Sequence, residues 1–156
     1  MDEMNDVKTE RPVVMVVDDN VASLQTALNA LEDICDVFTV PSAEKMFDLL
    51  ERNTPMLILL DINMPDINGY EALQRLKGNS ATRGIPVIYM TGVQSQESQL
   101  DGFSMGAEDY ILKPFTPQLL QKRVELMVTL WKQKRLIEKQ AQEIEVLERK
   151  LNLRTE

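Results

Sequence analysis

Four residue groups that could do chemistry stand at the ends of short apolar runs. Asp18 and Asp19 follow Val13-Val-Met-Val-Val17, Asp61 follows Leu57-Ile-Leu-Leu60, Thr91 follows Val87-Ile-Tyr-Met90, and Lys113 closes Tyr110-Ile-Leu112. If each run is a strand of one open α/β sheet, the carboxyl ends of the strands line a single crevice, and side chains far apart in sequence converge there. Three carboxylates crowded at one sheet edge repel each other and raise each other's proton affinity. A divalent cation relieves that repulsion. A small hard ion such as Mg²⁺, or Mn²⁺ in its place, suits carboxylate oxygens, a backbone carbonyl and retained waters. Taken alone, Asp18-Asp19 reads equally well as a solvated loop; the full set with Asp61, Thr91 and Lys113 is what points to a site. The chain has no histidine, which removes Ser/His and Cys/His catalysis and His-ligated zinc. Its single Cys35 cannot form an internal disulfide.

The elements that must position these residues are legible as alternating patterns. Apolar runs at 13–17, 37–40, 56–60, 87–90 and 110–112 are candidate strands, continuous rather than alternating, as expected when helices cover both faces of a parallel sheet. Helical spacing lies between them: Val21, Leu24, Leu28 and Leu31; then Met46, Phe47, Leu49 and Leu50; then Tyr70, Leu73 and Leu76. A fourth crossover helix falls at about 96–105 and is the most weakly anchored, with Leu100, Phe103 and Met105 its chief apolar residues. Five strand–helix alternations predict an α/β fold: a doubly wound five-stranded parallel sheet with right-handed crossovers. Pro41-Ser42, Asn68-Gly69, Gly84 and Gly106 supply the turn chemistry.

Thr116-Pro117 is a good helix start, and no Gly or further Pro follows up to Leu153, a length of roughly 55 Å that outruns one domain. Leu130, Ile137, Ile144 and Leu151 recur every seven positions, joined by Ala141 and Leu147, and predict a coiled coil. Lys134 and Gln140 interrupt the second seam position, so a solvated helix is the competing reading. The expected organisation is a loosely ordered N-terminus at 1–10, one globular domain at 11–126, and a helical extension at 127–156.

The totals agree. A length of 156 residues, 44% hydrophobic and 27% charged, suits one globular domain with an appendage. No apolar run approaches the roughly 20 residues needed to cross a bilayer, and the first residues lack a signal-peptide core, so the expectation is a cytoplasmic protein without membrane contact. The formal charge of -8 is uneven: residues 117–156 carry nine Lys/Arg against six Asp/Glu, which leaves -11 on the rest. An acidic body argues against direct nucleic-acid binding, which depends on neutralising phosphates.

The motifs, in order and at family spacing, are Val16-Val-Asp18-Asp19-Asn20, Leu59-Leu-Asp61-Ile-Asn63-Met-Pro65-Asp-Ile-Asn68-Gly69-Tyr70, Tyr89-Met-Thr91-Gly92 and Gly106-Ala-Glu-Asp-Tyr110-Ile-Leu-Lys113-Pro114-Phe115. Residues 11–126 thereby resemble the receiver domain of two-component response regulators. The resemblance implies a flavodoxin-like sheet of strand order 2-1-3-4-5. It implies that Asp61 is the phosphoacceptor, that Asp19, Asp61 and the backbone carbonyl of Asn63 ligate Mg²⁺ with Asp18 acting through water, and that Lys113, after a cis Lys113-Pro114 bond, balances phosphoryl charge. Thr91 and Tyr110 would form the switch, the hydroxyl turning to the phosphoryl group and vacating space for the ring. Gly92 would leave the phosphoryl group accessible, while Asn63 and Val93 occupy positions that tune its lifetime, here expected to be minutes.

The same resemblance implies a phosphorelay partner, a sensor histidine kinase or histidine phosphotransfer protein. Readout would pass through the fourth helix, fifth strand and last helix into the extension, where a parallel homodimer is expected. Similar receivers with a long basic helix lead into a cyclic di-GMP cyclase or phosphodiesterase or into a histidine kinase; action by partner contact alone is the other possibility. The chain would be a phosphoacceptor and not an enzyme beyond its own phosphorylation and dephosphorylation. Two alternatives stand beside this: a phosphorylation-independent coiled-coil scaffold, and an aspartyl-phosphate phosphatase. The phosphatase needs a second Asp as general acid where this chain has Asn63, a nucleophile on its first strand, and a cap domain.

Overall fold

The computed structural model describes residues 11–92, 104 and 106–155. The expected crossover helix at about 96–105, Val93 and residues 1–10 therefore lie outside the described residues, apart from Ser104. In chain order the elements are β1 (Val13–Val17), α1 (Val21–Leu31), β2 (Asp36–Val40), α2 (Ala43–Leu50), β3 (Leu57–Asp61), α3 (Gly69–Gly78), β4 (Val87–Thr91), β5 (Asp109–Leu112) and α4 (Pro117–Thr155). All five strands are parallel and ordered β2-β1-β3-β4-β5, as expected from the sequence. Asp61 and Thr91 are the last residues of their strands rather than the first residues beyond them, because ladder pairing continues past the apolar run to Asp61↔Met90 and Thr91↔Leu112.

Alternation along each strand divides the core. Met15, Val17, Val40, Ile58, Leu60, Val87 and Tyr89 face α2 and α3 through Ala43, Met46, Ala72, Leu73 and Leu76. Val14, Val16, Leu57, Leu59, Ile88, Met90 and Ile111 face α1 and α4 through Ala27, Ala30, Leu31, Leu120, Val124 and Val128. The central strands β3 and β4 are buried on both faces, which is why they read as unbroken apolar runs. The edge strand β2 reads the same way in sequence, yet Asp36, Phe38 and Thr39 are exposed, since an edge position leaves part of its surface uncovered.

Each of α1 to α4 is started by a side-chain acceptor that satisfies a free backbone N–H. Ser23 N–H donates to Asn20 Oδ1 at 3.1 Å, Lys45 N–H to Ser42 Oγ at 3.2 Å, Tyr70 N–H to Asn68 Oδ1 at 2.9 Å, and Leu119 N–H to Thr116 Oγ1 at 3.2 Å. Such caps contribute about 1 kcal/mol each. On α4, Leu120, Val124 and Val128 are buried and Met127 and Trp131 partly so, at helical spacing. From residue 132 to 153 every side chain is exposed, so the helix leaves the domain for roughly 33 Å.

Candidate functional site

The end of β1 supplies the first acids. Asp18 N–H donates to the Val40 carbonyl at 3.0 Å, carrying the β1–β2 ladder one residue past the strand, and Asp18 Oδ1 accepts from Asn20 N–H at 2.9 Å in a tight turn that leads into α1. Asp18 is fully buried, whereas Asp19 beside it is exposed at the crevice mouth. Asp61 ends β3 and is 2% exposed; its Oδ1 accepts from Asn63 N–H at 3.0 Å. Ile62 N–H donates to the Met90 carbonyl at 2.9 Å, which holds the Asp61 backbone against β4.

The loop after Asp61 returns against its own start. Gly69 N–H donates to the Ile62 carbonyl at 2.9 Å, and a Cβ at Gly69 would lie 2.3 Å from Ile62 Cα and 2.6 Å from the Asp61 carbonyl oxygen. Only glycine permits this approach. Sequence reading takes Asn68-Gly69 as turn chemistry; its second role, letting α3 abut the Asp61 peptide, is a long-range packing fact that spacing does not carry.

Lys113 crosses from β5. Its N–H donates to the Thr91 carbonyl at 2.8 Å, and the Lys113-Pro114 bond is cis, as expected. Its Nζ lies 2.6 Å from Asp18 Oδ2 and 3.2 Å from Asp61 Oδ2. One carboxylate oxygen from each of Asp18, Asp19 and Asp61 lies within 4.8 Å of the others. Octahedral Mg²⁺ holds its ligands at about 2.1 Å, which sets neighbouring oxygens roughly 3 to 4 Å apart, so this donor set fits with small side-chain adjustment. The backbone N–H of Asn63 is seated beside Asp61, which brings that residue's main chain to the same edge.

Electrostatics follow from burial and crowding. Burial pushes the Asp61 carboxyl up to about 6 from 3.8; the Asn63 N–H pulls it down, the Asp18 charge pushes it up again, and Lys113 pulls it down. For Lys113, burial works against the ammonium, but the Asp18 hydrogen bond and the charges of Asp61 and Asp18 outweigh it and hold the group above its ordinary value. With all groups ionised, three carboxylates face one ammonium. The crevice is therefore short of positive charge by about the charge of one divalent ion.

Thr91, buried at the end of β4, joins this edge through its carbonyl. Tyr110 lies on β5. It is half-buried two residues before Leu112, the register partner of Thr91, and its ring stacks on Tyr89 with centroids 5.8 Å apart and planes at 30°. Sequence reading does not single out Tyr89, because a tyrosine inside an apolar strand run looks like core. Nor does it show the direct pairing of Lys113 with Asp18, across 95 positions of sequence.

The comparisons with known proteins agree with this geometry. Residues 14–125 match the response regulator receiver domain family. The chemotaxis response regulator CheY4 of Vibrio cholerae is 25% identical, with a TM-score of 0.71 over 76% of this chain and 99% of that one. The BeF3-activated receiver domain of DrrB is 30% identical, with a TM-score of 0.70 over 77% and 99%. Among curated relatives, the transcriptional regulatory protein CiaR of Streptococcus pneumoniae is 31% identical over 115 residues, which is 74% of this chain and 50% of CiaR. A protein of Vibrio cholerae named probable cyclic di-GMP phosphodiesterase is 34% identical over 111 residues, 71% of this chain and 25% of that protein. The chain thus spans half or less of these longer relatives. With the sheet order, the acidic crevice and the match over 14–125 taken together, the chain belongs to the receiver domain family of two-component response regulators.

Proposed function

We propose that the chain is the phosphoacceptor switch of a two-component phosphorelay, with Asp61 taking a phosphoryl group from a histidine kinase or histidine phosphotransfer protein. The observation that carries this is Lys113 Nζ seated between Asp18 and Asp61, beside a trio of acids spaced for one cation. In the transfer an Asp61 carboxylate oxygen attacks phosphorus in line, the P–N bond of the phosphohistidine breaks, the imidazole nitrogen leaves with the electron pair, and an acyl phosphate forms. Lys113, already held between the two carboxylates, would place its ammonium on the phosphoryl oxygens, a charge positioned by the fold rather than by solvent. Asp18, Asp19, Asp61 and the Asn63 carbonyl would hold Mg²⁺, whose role is Lewis-acid stabilisation of the phosphoryl charge. Asn63 would orient an attacking water for release, and Gly92 leaves the approach open.

The signal would pass from Thr91 and Tyr110 through β5 into α4. There the exposed stripe of Leu130, Ile137, Ile144 and Leu151 would pair with a second copy in a parallel coiled coil. The domain and the extension divide as 11–126 and 127–156 in this reading, with burial on the helix fading at Val128 and Trp131. Among the described residues no helix is long and apolar enough to cross a membrane, which is compatible with a cytoplasmic site of action.

Incubation of the chain with Mg²⁺ and phosphoramidate or acetyl phosphate, read by intact mass, tests the reading. A labile phosphoryl adduct that is lost in Asp61→Asn is expected; a chain that stays unmodified would leave only the scaffold reading, and an adduct that persists in Asp61→Asn would move the acceptor elsewhere.

A further inference from the structure

One row of the sheet, just below the carboxylates, runs by register through Val40, Val17, Leu60, Tyr89 and Tyr110. Three aliphatic residues are followed by two aromatic ones. Tyr89 has no exposed surface, and its ring meets both Tyr110 and Tyr70, the second pair with centroids 6.4 Å apart and planes at 51°. Both separations fall within the roughly 4.5 to 7 Å over which aromatic rings attract. Tyr89 is held by the core, so neither neighbour can change its position without sliding over that ring or losing it.

The two ends of this stack are tied to different parts of the molecule. Tyr70 follows Gly69, whose backbone is pressed on the Asp61–Ile62 peptide and whose N–H donates to the Ile62 carbonyl. Tyr110 N–H donates to Asp109 Oδ1 at 2.8 Å, while Asp109 Oδ2 accepts from Arg123 on α4. The stack therefore spans from the loop behind Asp61 to the strand that is ion-paired to the long helix. We propose that Tyr89 is a positioning residue that couples Tyr70 to the switch ring of Tyr110, so that the loop following the acceptor and the strand facing α4 sense one another through three rings in contact, one pair stacked and one tilted. This rests on the reading of Asp61 as phosphoacceptor and of Tyr110 as the ring that moves.

The test uses the full chain with fluorotyrosine at its three tyrosines, the fluorine resonances being assigned by single Tyr→Phe substitutions. In the parent chain, Mg²⁺ with beryllofluoride is expected to shift the Tyr110 resonance, and Tyr70→Leu is expected to change where that resonance lies and how far it moves. In a Tyr89→Leu background the effect of Tyr70→Leu is lost; in a Tyr89→Phe background, which keeps the ring, it is retained. A Tyr110 resonance indifferent to Tyr70→Leu overturns the proposal, as does an equal effect in the Tyr89→Leu background. If Tyr89→Leu does not fold, the comparison of the parent with Tyr70→Leu decides alone, because Tyr70 is half-buried at a helix start. Phosphoramidate labelling read by intact mass runs in parallel. No adduct and no response of Tyr110 overturns the underlying reading and this one together; an adduct with a Tyr110 that responds but ignores Tyr70 removes the stack and leaves the phosphoacceptor in place.

Discussion

Asp61 is an acid that the metal-free fold does not favour in its charged form. Burial and Asp18 outweigh the Asn63 N–H and Lys113, and its carboxyl rises to about 6 from 3.8. Raised in the folded state, the group binds more protons folded than unfolded, so its contribution is fully present below pH 4 and is lost as pH climbs through 6. Asp61→Asn removes that penalty. Urea denaturation in the presence of a chelator should find the variant and parent nearly equal in stability at pH 4, and the variant more stable by about 3 kcal/mol at pH 7. Equal midpoints at both pH values would mean that the carboxylate is not strained. Gly69 works in the opposite direction: Gly69→Ala drives a Cβ into Ile62 backbone that has no flexible end to give way. The expected cost is about 3 kcal/mol, seen as a lower urea midpoint at unchanged slope, with slower labelling of Asp61 because its own carbonyl must shift. The acids are legible in sequence because each ends an apolar run, while the clash that demands glycine is invisible until the loop is folded.

Among element starts, Thr116 is read from the sequence as a helix start and accepts there, while Ser42 and Asn68, read as turn residues, and Asn20, which the sequence reading does not single out, turn out to do the same work. The exposure of β2 is not legible, because apolar composition does not say which strand is the edge. On α4 two patterns overlap: Leu120, Val124 and Val128 face the sheet, and Leu130, Ile137, Ile144 and Leu151 begin a second stripe that the single chain leaves in solvent. Ile137 is 64% and Ile144 56% exposed, so burying each against a second copy would contribute about 1 to 2 kcal/mol to the proposed dimer. Ile137→Asp with Ile144→Asp should therefore convert a concentration-dependent dimer to a monomer by light scattering. Thermal unfolding of the domain should be unchanged, because neither residue touches its core. A parent chain that is already monomeric at every concentration would remove the coiled coil.

At the scale of the molecule, the site exists because topology brings β1, β3, β4 and β5 to one edge, and that order comes from family resemblance rather than from any local signal. Composition nonetheless anticipates its electrostatics. The chain carries -8 overall, with the acids concentrated ahead of the long helix, and three of them share one crevice with a single lysine. A ligand that binds the folded crevice but not the unfolded chain stabilises by RT ln(1 + [L]/Kd), about 1.4 kcal/mol at ten times Kd. For a chain of this size that is roughly a 4 °C rise in Tm. Mg²⁺ should produce this rise at fixed ionic strength, and a chelator should reverse it. An equal ionic strength of NaCl should not reproduce it, since general screening acts on the whole acidic surface whereas a coordinated ion acts on three oxygens. Asp19→Ala tests the distinction most sharply: Asp19 is exposed and outside the core, so its loss should leave the metal-free Tm nearly unchanged while abolishing the Mg²⁺ increment. An increment that survives Asp19→Ala would place the cation elsewhere on the acidic body and detach it from Asp61.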